Sequence, residues 1–176
     1  IDAGDRLTEF AYGMAPTLLR LREGVGRLFA RNEMTPVDDG VALYYSQPSV
    51  RVQWMLDVGS REKPDYVGSS LTDQTSTEAA TRLGWMELLD DLRIGYRFVS
   101  DRAVMTESQT LRDVKVLILP KTVCMSKAEA ARLTNWVKAG GTLIADSQTA
   151  LFDEHARELK SGGLDALFGI VRRDHR

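Results

Sequence analysis

The chain has 176 residues, of which 43% are hydrophobic and 27% charged, the ordinary composition of one soluble globular domain. Its 23 basic and 25 acidic residues give a net charge of -2, which excludes the positive excess typical of a nucleic-acid-binding protein. A single cysteine excludes an internal disulfide framework, and no stretch approaches the ~20 apolar residues of a membrane span. We therefore expect a cytoplasmic protein with neither a nucleic-acid nor a membrane partner. Because Ile1 is not a methionine, we also expect the chain to be a piece of a longer protein.

The first segment carries apolar residues at alternating spacings of four and three, which predicts one helix with a narrow apolar stripe. Pro16 and the nearby glycines argue against a free-standing coiled coil, because each weakens a helix interior. Two interpretations stay open: the stripe packs on the domain's own sheet, or it docks on a missing domain or another subunit. The stripe consists of Leu7, Ala11, Met14, Leu18, Leu21, Val25 and Leu28.

The next segments predict a strand, a long loop and a helix. Residues 41–46 form a short β-prone run that ends at a Gln-Pro pair. From Asp57 to Thr77 the sequence is rich in Gly, Ser, Thr and Asp, which predicts an unusually long surface loop, most distinctive over residues 59–76. Thr75 and Glu78 have capping-box spacing, and the helix that they open is expected to run to about Arg93.

The second half alternates strands with helices. Residues 96–101 and 114–119 predict two strands, the latter apolar enough to lie inside a sheet. Ser126 and Glu129 have capping-box spacing and open a helix that ends at Gly140–Gly141, and a strand follows over residues 142–146. A helical turn at 154–160 and a short helix at 164–168 complete the prediction. This order predicts an α/β fold with an open parallel sheet covered on both faces.

Ligands of such sheets bind beyond the carboxyl ends of the strands, so the residues at those ends are the candidates for a site. The first strand leads into no glycine-rich turn, and neither nucleotide-binding glycine motif is present. We therefore expect no cofactor, and we single out Ser46, Asp101 and Asp146 as possible ligand-binding residues. The full set of strand-end residues is Tyr45, Ser46, Asp101, Pro120, Lys121, Asp146 and Ser147.

No complete catalytic or metal-binding set emerges from the remaining residues. Cys124 precedes a helix cap, where a thiol pKa can fall, but the histidines, His155 and His175, have no recognisable relation to it. Asp153, Glu154 and His155 lack the spacing of metal ligands. The carboxylates of Asp146, Asp153 and Glu154 also lack a spacing typical of the catalytic pair of a glycosidase. The three tryptophans lie in apolar surroundings and are expected in the core. We predict no catalytic residue and no metal site.

Several stretches together resemble the trimerisation domain of family forty-two β-galactosidases, within the wider class I glutamine-amidotransferase-like superfamily. The resemblance rests on the runs at 41–46 and 116–120, the W-V-x-A-G-G-T-L-I segment at 136–144, D-E-H at 153–155 and L-x-x-L-F-G-I at 164–170. It implies a flavodoxin-like three-layer sandwich with an open, mainly parallel sheet and an additional N-terminal helix. It also implies a position after a catalytic barrel in the parent chain, and a role in subunit association.

Enzymes of that superfamily carry a glycine pair after the strand that matches 116–120, and a G-x-C-x-G nucleophile elbow after the strand that matches 143–146. Lys121–Thr122 stands at the first place and residues 146–150, Asp-Ser-Gln-Thr-Ala, at the second. Cys124 therefore follows the wrong strand to be the elbow nucleophile.

These observations favour a non-catalytic association domain of a larger glycoside hydrolase. Residues 1–34 are then a connecting helix, and residues 35–176 form the amidotransferase-like domain. Its expected partners are other subunits of the same protein, in a homo-oligomer such as a trimer, and a catalytic barrel. Two alternatives remain open: a small amidotransferase-like hydrolase that uses Cys124, and a module that binds a sugar or small metabolite at the strand ends.

Overall fold

The chain divides into two compact units, Ile1–Val37 and Asp38–Arg176. A computed structural model describes residues 8–24, 26–27, 37–59, 76–107 and 109–172. The predicted boundary between residues 34 and 35 lies outside the described residues, as do most of the predicted loop over 59–76 and the histidine at position 175.

Helix α1 spans Glu9–Glu23 in the described part of the first unit. Thr8 caps it, because its side chain accepts a hydrogen bond from the backbone N–H of Ala11. Pro16 lies inside the helix, and no residue of α1 is buried. The outer members of the predicted stripe, at positions 7, 25 and 28, lie outside the described residues. The large apolar side chains that α1 exposes are Phe10, Tyr12, Met14, Leu18, Leu19 and Leu21.

The second unit is built on a parallel sheet of four strands: β1 Val41–Tyr45, β2 Tyr96–Ser100, β3 Val116–Leu119 and β4 Thr142–Ala145. The spatial order is β2-β1-β3-β4, and all three pairings are parallel. The prediction that the third strand lies inside the sheet is confirmed. Its apolar run suits that position, because a central parallel strand is covered on both faces.

Helices cover both faces of this sheet. The helices of the second unit are α2 Gln47–Gly59, α3 Thr77–Asp91, α4 Asp101–Thr106, α5 Lys127–Lys138 and α6 Asp165–Phe168. On one face Leu43 and Ile118 pack against Leu89 of α3. On the other face Leu117 and Leu119 belong to a larger core with Leu133 of α5. The predicted α/β fold with both faces covered is confirmed.

The structure corrects the predicted elements at several places. The chain continues from β1 into α2, although the Gln47-Pro48 pair was interpreted as a break. Proline is tolerated in the first turn of a helix, where its missing N–H has no intrahelical partner to lose. Helix α2 runs on to Gly59, so residues 57–59 are helical although a loop was expected from Asp57. The short helix α4, between the second and third strands, was not predicted either.

Two local predictions also need correction. Ser76, not the neighbouring Thr75, caps α3, since its side chain accepts a hydrogen bond from Ala79 N–H. The expected helical turn over residues 154–160 is reduced to one hydrogen-bonded turn, from Ala156 N–H to the Asp153 carbonyl, and Phe152 bridges Cys124 on one side and Glu158 on the other. By contrast, the capping box of Ser126 and Glu129 at the start of α5 is confirmed. Among the described residues, no helix is long and apolar enough to cross a membrane.

Candidate functional site

The predicted site residues lie along one edge of the sheet. Ser46 follows β1, Asp101 follows β2 and Asp146 follows β4, so all three are at carboxyl ends of strands. Neighbouring strands are ~4.8 Å apart, which puts Ser46 next to Asp101 but about 10 Å from Asp146 across β3. The fold therefore brings Ser46 and Asp101 together, whereas Asp146 lies on the other side of β3.

In an open α/β sheet the topological switch point is the gap between the carboxyl ends of two neighbouring strands whose connections run in opposite directions. Here it lies between β1 and β3, and side chains of this chain fill it. Ser49 Oγ accepts a hydrogen bond from Cys124 N–H at 2.9 Å and donates one to the Cys124 carbonyl at 3.1 Å. Ser46 Oγ lies 3.4 Å from the same carbonyl and 2.8 Å from Ser49 Oγ. All three residues are buried. The hydroxyls of Ser46 and Ser49 therefore hold the segment that follows β3 at the position where open α/β sheets bind their ligands.

Ser46 also explains why α2 starts where it does. The backbone N–H groups of Ser49 and Val50 bond to Ser46 Oγ and to the Ser46 carbonyl, respectively. These contacts satisfy two of the donors that a helix N-terminus leaves open, so Ser46 serves as the cap. The hydroxyl that sequence reasoning assigned to a ligand is thus committed to contacts within the chain.

Cys124 is in the wrong environment for a nucleophile. It is only 1% exposed, and burial, reinforced by the charges of Asp153 and Glu129, raises the pKa of its thiol to about 11. A nucleophilic cysteine needs the opposite shift, since the thiolate is the reactive form. The His155 side chain is largely exposed and comes within 4.0 Å of Glu154, a neighbour in sequence. Within the described part of the chain, no group of three or more His, Cys, Asp or Glu residues could hold a metal ion.

Asp146 joins the loops that follow β3 and β4. Its Oδ2 accepts a hydrogen bond from Lys121 N–H at 2.7 Å, and its carbonyl accepts one from the Thr149 hydroxyl. Burial raises the pKa of Asp146 against the opposing effects of Lys121 and Thr149. Its second oxygen, Oδ1, is buried and has no hydrogen-bond partner among the described residues. The carboxylate therefore mainly ties two loops together.

The segment that matches the nucleophile elbow keeps a strained backbone without a nucleophile. Gln148 stands at the third of the five positions and has φ 67°, in the left-handed region that side chains other than glycine rarely adopt. Lys121, in the facing loop, has φ 41°, and its ammonium donates to Gln148 Oε1 at 2.8 Å. A carboxamide cannot attack a carbonyl as a thiol does. The backbone is thus strained at Gln148 without a thiol there, and the sequence analysis did not predict this strain.

Asp101 begins α4 and lies partly exposed beside Ser100, which caps that helix. Its Oδ1 accepts from the backbone N–H of Arg102 at 2.8 Å.

A buried pair lies close to this strand end: the Tyr44 hydroxyl donates a hydrogen bond to Glu129 Oε1 at 2.5 Å inside the core. Burial, followed by the charge of Glu129, holds the pKa of Tyr44 far above its usual value. Glu129 Oε2 also accepts from Ser126 N–H, so one carboxylate joins the central strand to the α5 cap.

The glycine pair of the W-V-x-A-G-G-T-L-I segment has a packing role. A Cβ on Gly141 would lie 2.3 Å from the Trp136 ring, so only glycine lets the indole lie flat against the start of β4. Gly140 has φ 109°, a conformation that other residues rarely adopt. The motif therefore fixes the turn between α5 and β4 and contributes no reactive group.

This geometry defines a class: a flavodoxin-like α/β domain whose ligand edge is closed by its own side chains between β1 and β3. Residues 96–175 match the family model of the Beta-galactosidase trimerisation domain. The match covers less than half of the chain, and over these residues the predicted resemblance to that domain is confirmed.

Solved structures support the fold. A β-galactosidase from Bifidobacterium adolescentis is similar with a TM-score of 0.55 and 18% identity, over 76% of this chain and 56% of that one. A catalytic mutant of Gan42B, a GH42 β-galactosidase from G. stearothermophilus, is similar with a TM-score of 0.56 and 16% identity, over 94% of this chain and 21% of that one. The chain thus spans about half of the first structure and about a fifth of the second. No curated protein matches the sequence.

Proposed function

We propose that this chain is the assembly domain of a longer β-galactosidase-type glycoside hydrolase and joins copies of that enzyme into a homo-oligomer. The match of residues 96–175 to the trimerisation domain family carries the proposal. The closed ligand edge supports it, because Ser46 and Ser49 occupy the switch point with contacts to Cys124. In this proposal the domain breaks no bond, and the reaction belongs to another part of the parent enzyme.

The proposal also assigns residues 1–34 to a helix that connects a catalytic barrel to the assembly domain. The supporting observation is that α1 buries none of its residues while it exposes Phe10, Leu18 and Leu21. A helix with an apolar face gains stability when that face packs against another surface. A cytoplasmic location is part of the same proposal and agrees with the one unpaired, buried cysteine.

Sedimentation equilibrium of the 176-residue chain tests the assembly role. We expect a reversible trimer, or another homo-oligomer, at micromolar concentrations. A monomer at concentrations up to about 100 μM would overturn the proposal, because contacts that weak contribute little to a stable assembly. Assays with a nitrophenyl galactoside and with glutamine test the non-catalytic part. Hydrolysis that a Cys124→Ser substitution abolishes would instead support the amidotransferase-like alternative.

A sugar-binding role of the strand ends has one observation in its favour. A cavity of about 500 Å³ lies beside Asp146, and its lining includes the Phe168 ring and Arg172. Polar groups next to an aromatic ring are a common way to bind a small polar ligand. A thermal-shift series with mono- and disaccharides tests this role, with Ser147→Ala and Phe168→Ala as variants. Melting temperatures that no sugar changes would count against it.

A further inference from the structure

An oligomer with three-fold symmetry requires two different surfaces on each copy. A two-fold contact pairs a patch with itself, whereas a ring of three closes only when one patch meets a second, distinct patch on the next copy. If the homo-oligomer of the proposed function is a trimer, this chain must therefore present two complementary surfaces. The described part of the second unit offers such a pair.

The first surface is an open groove at the amino ends of β3 and β4, called here the basic groove. It has a volume of about 750 Å³, and the side chains that define it are Leu111, Arg112, Val114, Lys115, Arg132 and Trp136. Three of these six carry a positive charge, and no acidic residue lines the groove. Asp38 and Asp113 line a neighbouring cavity that shares Arg112 and Lys115 with the groove, so these two cations lie between the groove and the two carboxylates.

The cations of the basic groove keep hydrogen-bonding capacity for a partner. Arg132 Nη1 donates a hydrogen bond to the Met105 carbonyl at 2.8 Å. No ion pair within the described residues joins Arg112, Lys115 or Arg132 to a carboxylate. By contrast, Arg172 is paired with a buried carboxylate elsewhere in the same unit. Arginine and tryptophan beside apolar side chains are also the composition enriched in protein interfaces.

The second surface is the outward side of α3, called here the acidic face. It consists of Glu87, Leu88, Asp90, Asp91 and Leu92, all exposed. Leu88 is 47% exposed and Leu92 59%, which is high for leucines on a helix that also packs on the sheet. Gly84 lies one turn before Leu88, and a Cβ there would meet nothing within 4 Å, so a partner can approach the helix closely.

The charge of the acidic face is unfavourable for the helix itself. The carboxylates of Asp90 and Asp91 lie in the last turn of α3, next to the negative end of the helix dipole, and that turn has no basic residue. Arg93, just beyond, is one guanidinium against three carboxylates. These carboxylates destabilise the end of α3, and a cationic surface that covers them would offset this cost.

We propose that the acidic face of one copy docks in the basic groove of the next, and that this contact closes the ring. Cations around apolar side chains meet carboxylates around leucines, so the surfaces match in charge and in apolar character. This inference rests on the proposed function and names its contact.

Charge reversal followed by restoration tests the contact. The groove variant is Arg112→Glu with Lys115→Glu, and the face variant is Glu87→Lys with Asp91→Lys. We expect each to weaken self-association of the chain at least tenfold in sedimentation equilibrium. A chain that carries all four substitutions restores the opposite charges across the contact and should recover association to within about threefold of the original.

The matched control is Arg51→Glu with Lys160→Glu, which changes charge as the groove variant does, at exposed positions outside both surfaces. It should associate as the original chain does. Circular dichroism melts show whether each variant folds. If the original chain associates and the groove and face variants associate equally well, the proposed contact is wrong while the proposed function stands. Weak association of the chain with all four substitutions also overturns the proposed contact. A monomeric original chain overturns both the contact and the proposed function.

Discussion

The two ends of the same parallel sheet are built in opposite ways. At the carboxyl end, side chains such as Ser49 and Cys124 are buried and bonded to each other. At the amino end, Arg112 and Lys115 line an open groove without carboxylate partners among the described residues. In an open α/β sheet the carboxyl end is the usual ligand edge. The difference indicates that this domain uses that edge for its own stability and leaves other surfaces for contact.

The largest effect is expected from removing the buried carboxylate near the closed end. Glu129→Leu leaves the Tyr44 hydroxyl and the Ser126 N–H without their acceptor. Each unsatisfied buried group costs about 1–3 kcal/mol, so we expect the free energy of unfolding to fall by about 2–4 kcal/mol. Chemical denaturation measures it.

The matched control for this change is Glu129→Gln, which keeps one acceptor oxygen and should lose clearly less stability. If the leucine and glutamine variants unfold at the same denaturant concentration, the contact with Tyr44 contributes little. The closed end would then owe its stability to apolar packing alone.

The second prediction concerns the open end. Gly141→Ala places a Cβ about where the Trp136 ring lies, so the ring must shift. Overpacking of this kind costs about 1–3 kcal/mol of unfolding free energy. Gly84→Ala is the control, since its Cβ would meet nothing and alanine favours a helix by roughly 0.5–1 kcal/mol. A Gly141→Ala variant as stable as the original chain would mean that the ring has room to move.

Local sequence patterns predicted most of the sheet and the helices with strong caps. The third strand is an uninterrupted apolar run, and Ser126 with Glu129 has the spacing of a capping box, so both features are visible within a few residues. Helix α2 was missed because Pro48 marks a break in most contexts but is tolerated in a first turn. Short-range signals thus failed where one residue type fits two structures.

The closed edge could not be predicted, because its contacts join residues far apart in the chain. Ser49 and Cys124 are 75 positions apart, and no local pattern relates them. The strain at Gln148 is equally hidden, since a glutamine carries no sequence preference for a positive φ. The sequence located the strand ends correctly but could not show that the gap between β1 and β3 is filled by Ser46, Ser49 and Cys124.

The third prediction tests the seal at the switch point. Ser49→Ala removes the acceptor of the buried Cys124 N–H, which should cost about 1–2 kcal/mol of unfolding free energy. Ser147→Ala is the control, because Ser147 is exposed in the next strand-end loop. Hydrogen exchange at the Cys124 amide should quicken in the first variant and stay unchanged in the second. Equal exchange in both would show that the seal does not depend on this hydroxyl.

The smallest effect is a pH dependence at the closed end. Burial raises the pKa of Cys124 to about 11, above its value in the unfolded chain, so the folded state holds the proton more tightly. Its contribution to stability is therefore complete below about pH 8.5 and is lost as the pH rises towards 11. Cys124→Ala should flatten the fall of the melting temperature between pH 9 and 11.

Iodoacetamide labelling supplies the second readout of the same residue. The native chain should react slowly at pH 8, and at the rate of a free thiol once it is unfolded in denaturant. Rapid labelling of the native chain, with a rate midpoint near pH 8.5 or below, would show an accessible thiolate. In that case the carboxyl end of the sheet would be open, and the contrast with the basic groove would not hold. Slow labelling with a steep rise only above pH 10 would instead place Cys124 among the packing residues of the core.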